Sequence, residues 1–267
     1  MKKILTTAIL CAGLVGFTAC DSFLDEEPKS SLTLDTYYKT SADIIGNVNY
    51  LYRDGAPDKM GNMTGAYRGS SLSVMNMVTG YFVNEYEGQE VDCSYARQLT
   101  RQDFTQSCCN YLTNDTWKSC YKSINVANAV IKYVDGVEMD NQAQYKAEAR
   151  FFRALNYFYL VKMFGDVPMV TEPTEDATLV EYPTRAAAAE VLNTGSNPDL
   201  QFAVENLPNA TFAGNSHRVT KYAADMLLAD VYMRLGEYAN AVTPLKDVIN
   251  SGKFALATND NLAEGSA

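Results

Sequence analysis

Between Glu148 and Pro168 the chain reads EARFFRALNYFYLVKMFGDVP, with apolar residues at helical spacing on more than one face. Ala149, Phe152, Leu155, Tyr159 and Met163 share one face, and Phe151, Ala154, Phe158 and Val161 crowd the adjoining one. So wide an apolar surface predicts a helix buried on several sides. Lys146, Arg150 and Arg153 gather on the remaining strip. Gly165 supplies a C-terminal cap and Pro168 a residue that cannot continue the helix.

The same periodicity places neighbours around this segment. Ile44, Ile45, Val48, Leu51 and Tyr52 predict a helix with Ser41 as its N-cap. Trp117, Cys120, Tyr121, Ile124, Ala127, Asn128, Ile131 and Val134 form one face of a helix opening near Asn114 or Asp115 and closing at Gly136, with Trp117 read as a core residue. Asp166 to Pro183 holds Pro168, Pro173 and Pro183 and reads as an extended surface connector. Arg185 to Asn206 is helical in two pieces broken at Gly195 to Pro198, its Ala186 to Ala189 run suited to close helix contact, and Leu207-Pro208 ends it. From Tyr222 to Phe254, Leu228, Ala229, Tyr232, Gly236, Tyr238, Ala241, Leu245 and Val248 match the small and large positions of a tetratricopeptide repeat turning at Leu235 to Tyr238. A single such pair cannot bury both its faces, so the helices at 115 to 135, 143 to 165 and 185 to 206 must stack with it. The expected fold class is all-α: an α-helical stack with tetratricopeptide-like helix pairs and a long irregular loop-rich insertion.

Arg53 to Thr113 is that insertion, rich in Gly, Ser, Asn and Tyr, with one short helix expected after Ser71 from Leu72, Met75, Val78 and Phe82. Aromatic rings alternate there with amide, carboxylate and guanidinium groups. Sugars require this mixture, because their C–H faces stack on rings while their hydroxyls take paired hydrogen bonds. Tyr67, Tyr81, Asn84, Tyr86, Tyr95 and Arg97 are the candidate ligand-binding residues. The plainer alternative is that these tyrosines staple loops onto the helical body.

Residues 1–19 carry Lys2 and Lys3, an apolar run from Ile4 to Phe17 and a small residue at Ala19, the pattern of a secretory signal peptide. Phe17-Thr18-Ala19-Cys20 resembles a bacterial lipobox, in which Cys20 becomes the acylated first residue, although Phe17 replaces the usual Leu. Several acyl chains, at about 0.8 kcal/mol per buried CH2, give stable anchoring. The expected organisation is a signal peptide at 1–19, an acylated Cys and acidic tether at 20–40, and a helical domain at 41–267 that includes the repeat at about 222–255. Subtracting the two leader lysines from the net charge of −10 leaves −12, which argues against nucleic acid as a partner. Cys93, Cys108, Cys109 and Cys120 match no metal-ligand spacing and His217 is the single His, so structural thiols or a local disulfide are expected, with no metal and no cofactor. Glu85, Glu87, Glu90 and Asp92 cluster in one loop as solvated acids do, and no Gly-x-Ser-x-Gly is present, so no enzymatic activity is expected.

The order of these pieces carries a resemblance. CDSFLDEEP, SCYKSINVANAVI, EARFFRALNYFYLVKMFGDVPMV, Pro183-Thr184-Arg185, TKYAADMLLADVYMRLGEYANAV and VINSGKF together resemble the SusD/RagB family of outer-membrane lipoproteins, from Cys20 to about Phe254. The resemblance implies a surface-exposed, lipid-anchored nutrient-binding protein of the cell outer membrane, carrying palmitate or a related acyl chain. It would sit over a SusC-like TonB-dependent β-barrel transporter, capture oligosaccharides, or peptides in some branches, and pass them on without catalysis. Ligand residues vary within that family, so none is carried over; the aromatic helix becomes framework and the Tyr-rich insertion keeps the ligand assignment. Family members continue with further repeats, whereas this chain stops at Ala267 after one pair. A fragment, a truncated product and a family variant are all open, and the runner-up function is a helical scaffold that docks on the transporter without binding ligand itself.

Overall fold

The computed structural model describes residues 33–54, 79–81, 100–102, 106–174 and 183–256, with backbone alone for residues 54 and 106–115. The chain divides into Met1–Tyr37 and Tyr38–Ala267. In the first unit, the described residues hold a single helical turn, α1 (Leu34–Tyr37), which the side chain of Thr36 closes onto the carbonyl of Thr33. This part of the expected tether is therefore locally helical.

The second unit is a helical stack. Its α-helices are α2 (Ser41–Asp54), α3 (Gln106–Tyr133), α4 (Gln142–Phe164), α5 (Ala188–Glu190), α6 (Asn197–Asn206), α7 (Lys221–Arg234) and α8 (Tyr238–Asn250). Two-residue strands β1 (Val167–Pro168) and β2 (Arg185–Ala186) pair antiparallel, with Val167 opposite Ala186. Packing runs in sequence: α2 and α3 lie against α4, α4 against α6, α6 against α7, and α7 against α8. Helices that touch mainly their chain neighbours build a solenoid-like layer.

Helix α2 follows its expected face, with Ile44, Val48 and Leu51 fully buried. Its cap is Thr40, one residue before the expected Ser41. The Thr40 backbone N–H donates to Asp43 Oδ2 at 2.8 Å, and Thr40 Oγ1 accepts from the Asp43 N–H at 3.4 Å. This reciprocal pair satisfies the Thr40 amide and adds to the bond the Asp43 amide makes to the Thr40 carbonyl. Helix α3 begins at Gln106, well before the expected start, because no Gly or Pro interrupts the chain between Gln106 and Asp135. It closes through a 3-10 turn at Val134–Gly136.

Helix α4 ends as expected, with Gly165 at φ 70° donating to the Val161 carbonyl. Its burial differs from the expectation. Tyr157 and Leu160 are fully buried with Phe151, Phe152, Phe158 and Val161, while Leu155, Tyr159 and Met163 lie half-exposed along the solvent edge. Two arginines of the charged strip are engaged by another helix. Arg153 holds Asp199 of α6 in a two-pronged contact, Nε to Oδ2 at 2.6 Å and Nη2 to Oδ1 at 2.8 Å, and Arg150 approaches the same carboxylate at 3.8 Å. On another side, the fully buried Glu148 takes two bonds from Arg218 Nε at 3.0 Å. Arg218 also reaches Asn49 of α2 and lies 4.7 Å from the Tyr52 ring centroid.

The expected break at Gly195 to Pro198 is a π-helical turn, Val191–Ser196, that joins α5 to α6 without interruption. Asn197 donates to Leu192, five residues back, and Pro198 then falls in the first turn of α6, where its missing N–H costs nothing. The Ala186 to Ala189 run, expected at a close helix contact, is half-exposed or exposed. The described part of the connector is tied down instead of lying loose on the surface. Tyr121 donates to the Pro168 carbonyl at 2.7 Å, and Tyr157 both donates to and accepts from the Val170 backbone. Asn128 donates to the carbonyls of Val170 and Glu172, and Asn125 accepts from the Thr174 N–H.

Helices α7 and α8 form the expected repeat pair, with Ala229 and Ala241 buried and Gly236 at φ 77° in the turn. Lys221 fastens the pair by reaching Asp225 at 2.8 Å within α7 and Asp247 at 2.9 Å on α8.

The buried and the exposed ion pairs should differ in what they contribute. Arg218→Ala strands the Glu148 carboxylate in the core and is expected to cost about 3 kcal/mol in urea unfolding. Lys146→Ala, which breaks an ion pair with the largely exposed Asp135, should stay within about 0.5 kcal/mol. Similar losses in the two variants would contradict the distinction. Burial also pushes the Tyr157 phenol up to about 12 and raises those of Tyr121 and Tyr52, the last further opposed by the Glu148 charge. A phenol whose folded pKa exceeds the unfolded value of about 10 contributes stability that is whole below that pH and lost as pH rises toward the folded value. The urea midpoint should therefore fall between pH 10 and 12, and more shallowly in Tyr157→Phe.

Candidate functional site

Of the six candidate ligand residues, the structure describes Tyr81. It follows a turn in which its own N–H donates to Thr79 Oγ1 at 3.4 Å, and its side chain is 88% exposed. Tyr67, Asn84, Tyr86, Tyr95 and Arg97 lie outside the described residues, as do Cys20, Cys93 and the acids Glu85, Glu87, Glu90 and Asp92. The short helix expected after Ser71 falls outside them too. Cys120 is fully buried in α3.

The described surface carries three further features. The first is an aromatic cluster where the end of α4 meets the β1–β2 ladder. Trp117 is half-buried there, a rim position and not the expected core one. Its ring meets Phe164 edge-on at 5.1 Å and Tyr121 at 5.0 Å, and the Arg185 guanidinium sits 5.6 Å from its centroid. Arg185 is held in place by donating to the Asp166 carbonyl at 2.6 Å.

The second feature is a shallow groove of about 490 Å³ beside this cluster, lined by Val161, Gly165, Ala188, Ala189, Leu192, Arg234 and Leu235. Its lining is aliphatic apart from Arg234. Small residues at 165, 188 and 189 create the depression by leaving the space that larger side chains would fill. It holds neither a carboxylate pair nor a histidine, so its lining supplies no acid–base machinery.

The third is the loop between α6 and α7, which displays Phe212 and His217. Nothing in the hydrophobic pattern singled out Phe212, because one apolar residue among polar ones carries no periodic signal. The partnerships of Arg153, Glu148 and Arg218 were missed for a related reason, as charged residues on a helix ordinarily face water. Among the described residues, no three His, Cys, Asp or Glu side chains converge as metal ligands, and no helix is long and apolar enough to cross a membrane.

Comparison with known proteins gives this architecture a context. A SusD-like family model, described as starch-binding associating with outer membrane, matches residues 22–233. The chain is 28% identical over 254 residues to SusD-like protein P2 of Formosa agariphila, covering 94% of this chain and 47% of that protein. It is 27% identical over 252 residues to a SusD-like protein of Bacteroides ovatus, covering 90% and 40% respectively. Among solved structures, a laminarin binding SusD-like protein superimposes with a TM-score of 0.67 at 24% identity, over 79% of this chain and 44% of that one. Surface glycan-binding protein A from Bacteroides fluxus gives 0.64 at 22% identity, over 84% and 48%. The chain thus spans about half the length of the curated relatives it matches. With a family match across most of its length and a helical stack shared with these structures, the chain belongs to the SusD-like family.

Proposed function

We propose that this protein is a carbohydrate-capturing lipoprotein of the outer-membrane surface, anchored through Cys20, that passes bound oligosaccharide to a SusC-like TonB-dependent β-barrel and breaks no bond in doing so. The observation that carries this reading is the family match over residues 22–233, whose description is starch-binding and outer-membrane associated. The names of two structural neighbours, one laminarin binding and one glycan-binding, point the same way.

In this reading the helical stack is the framework and the Tyr-rich segment before α3 holds the ligand. Tyr67, Tyr81, Tyr86 and Tyr95 stack on the C–H faces of sugar rings, while Asn84 and Arg97 bond to hydroxyls. Tyr81 supports this assignment by its exposure. One stacked ring buries too little surface for useful affinity, so several are needed, and modest affinity suits a protein that must release its ligand. Cys20 supplies the membrane attachment, with acyl chains buried at about 0.8 kcal/mol per CH2.

The test is calorimetric titration of the soluble chain from Asp21 onward against starch, laminarin and host-glycan oligosaccharides. Binding of at least one glycan is expected, with affinity lowered at least roughly tenfold when Tyr67, Tyr81, Asn84, Tyr86, Tyr95 and Arg97 are all changed to Ala, about 1.4 kcal/mol or more. Unchanged affinity removes the assignment of these residues. Hydrolysis products in the titrated mixture would overturn the non-catalytic reading.

A further inference from the structure

We infer that the loop between α6 and α7 carries a second carbohydrate contact, in which the Phe212 ring, edged by His217, stacks on a sugar. This deepens the proposed glycan reading and rests on it.

An exposed aromatic residue is not informative by itself, since much of any protein surface is apolar. What distinguishes Phe212 is how it is held. The residue is 55% exposed, yet its backbone is fixed within a closed set of hydrogen bonds. The Phe212 carbonyl accepts from the N–H groups of Asn215 at 3.2 Å and His217 at 2.9 Å, and the Thr211 carbonyl accepts from Asn215 at 3.0 Å. Asn215 Nδ2 donates across to the Val219 carbonyl at 2.9 Å, and Gly214 donates to Thr211 Oγ1 at 3.1 Å.

To close this loop the chain places two successive non-glycine residues in the left-handed region, Ser216 at φ 51° and His217 at φ 61°. That conformation is disfavoured for side-chain-bearing residues and persists only where surrounding contacts enforce it. Here the enforcement comes from the next residues: Arg218 is locked to the buried Glu148, and the Val219 N–H donates to Tyr52 Oη at 2.9 Å. The strained backbone thus lies directly beside one of the strongest anchors in the stack. Its result is that the His217 ring stands edge-on to Phe212, centroids 5.2 Å apart and planes at 79°.

The chemistry of the display fits a sugar better than a protein surface. A single apolar ring, edged by the exposed His217, is too small a patch for a protein hot spot, which needs several adjoining apolar anchors. It is the right size for one pyranose face, with the neighbouring imidazole able to bond a ring hydroxyl. An ordered loop also costs little entropy on binding.

The experiment titrates the chain from Asp21 onward with maltoheptaose and with laminarin oligosaccharides, comparing wild type with Phe212→Leu, Phe212→Tyr and His217→Ala. Leucine keeps apolar bulk but removes the ring, and tyrosine keeps the ring, so neither asks the fold to close a cavity. The expected result is an affinity lowered roughly five- to tenfold in Phe212→Leu, near wild type in Phe212→Tyr and lowered roughly twofold or more in His217→Ala. Wild-type binding that Phe212→Leu leaves within twofold overturns this contact and leaves the wider glycan reading standing. Absence of binding by the wild type to these probes and to the wider glycan panel overturns both.

Discussion

The structure depends on a conflict built into α4. A helix apolar around most of its circumference must be covered by neighbours, yet Glu148, Arg150 and Arg153 lie on it and are drawn from water along with their surroundings. Burying such charges without partners would cost more than the apolar contacts return. The conflict is settled by partners from elsewhere in the chain, Asp199 from α6 for the arginines and Arg218 from the α6–α7 loop for Glu148. Each pair fixes the register of a neighbouring element against α4. Apolar packing alone tolerates sliding; a two-pronged guanidinium–carboxylate contact does not.

Once α4 is fixed, the remaining elements follow. Helices α2 and α3 cover one side, with Tyr52 meeting Phe152 edge-on at 4.8 Å, and the π turn and α6 cover another. Side chains of α3 and α4 secure the described connector, so the chain returns to the ladder at Arg185 in a defined place. Helices α7 and α8 extend the layer, and α8 leaves Tyr238, Val242 and Ile249 exposed on its outer face. The framework therefore provides fixed points from which loops can project, the arrangement on which a binding protein relies.

Much of this architecture was legible in the residues. Periodicity located the helices because their buried faces repeat, and Gly165 and Gly236 marked their ends because a left-handed backbone favours glycine. The faces of α4 were less legible: with apolar residues almost all round, the period no longer selects a side, and Leu155, Tyr159 and Met163 came out at the solvent edge. The ion pairs were not legible at all. Arg153 and Asp199 lie 46 positions apart and Glu148 and Arg218 lie 70 apart, beyond any local pattern. The π turn was hidden for another reason, since Gly195 and Pro198 ordinarily signal a break, and here Gly195 lies inside the widened turn and Pro198 in the first turn of α6. Of the proposed ligand contacts, Tyr81 was proposed from its type and setting, while the proposal for Phe212 needed the loop geometry around it.

The account rests on the charges of α4 acting as couplings between helices. A double-mutant cycle on Arg153→Met and Asp199→Asn, read by urea unfolding, measures that coupling directly. The expected result is an interaction energy of about 2 kcal/mol or more, with the double variant more stable than the sum of the single losses implies. Additive losses, with coupling within about 0.5 kcal/mol of zero, would show that apolar packing alone sets the register and would contradict the account.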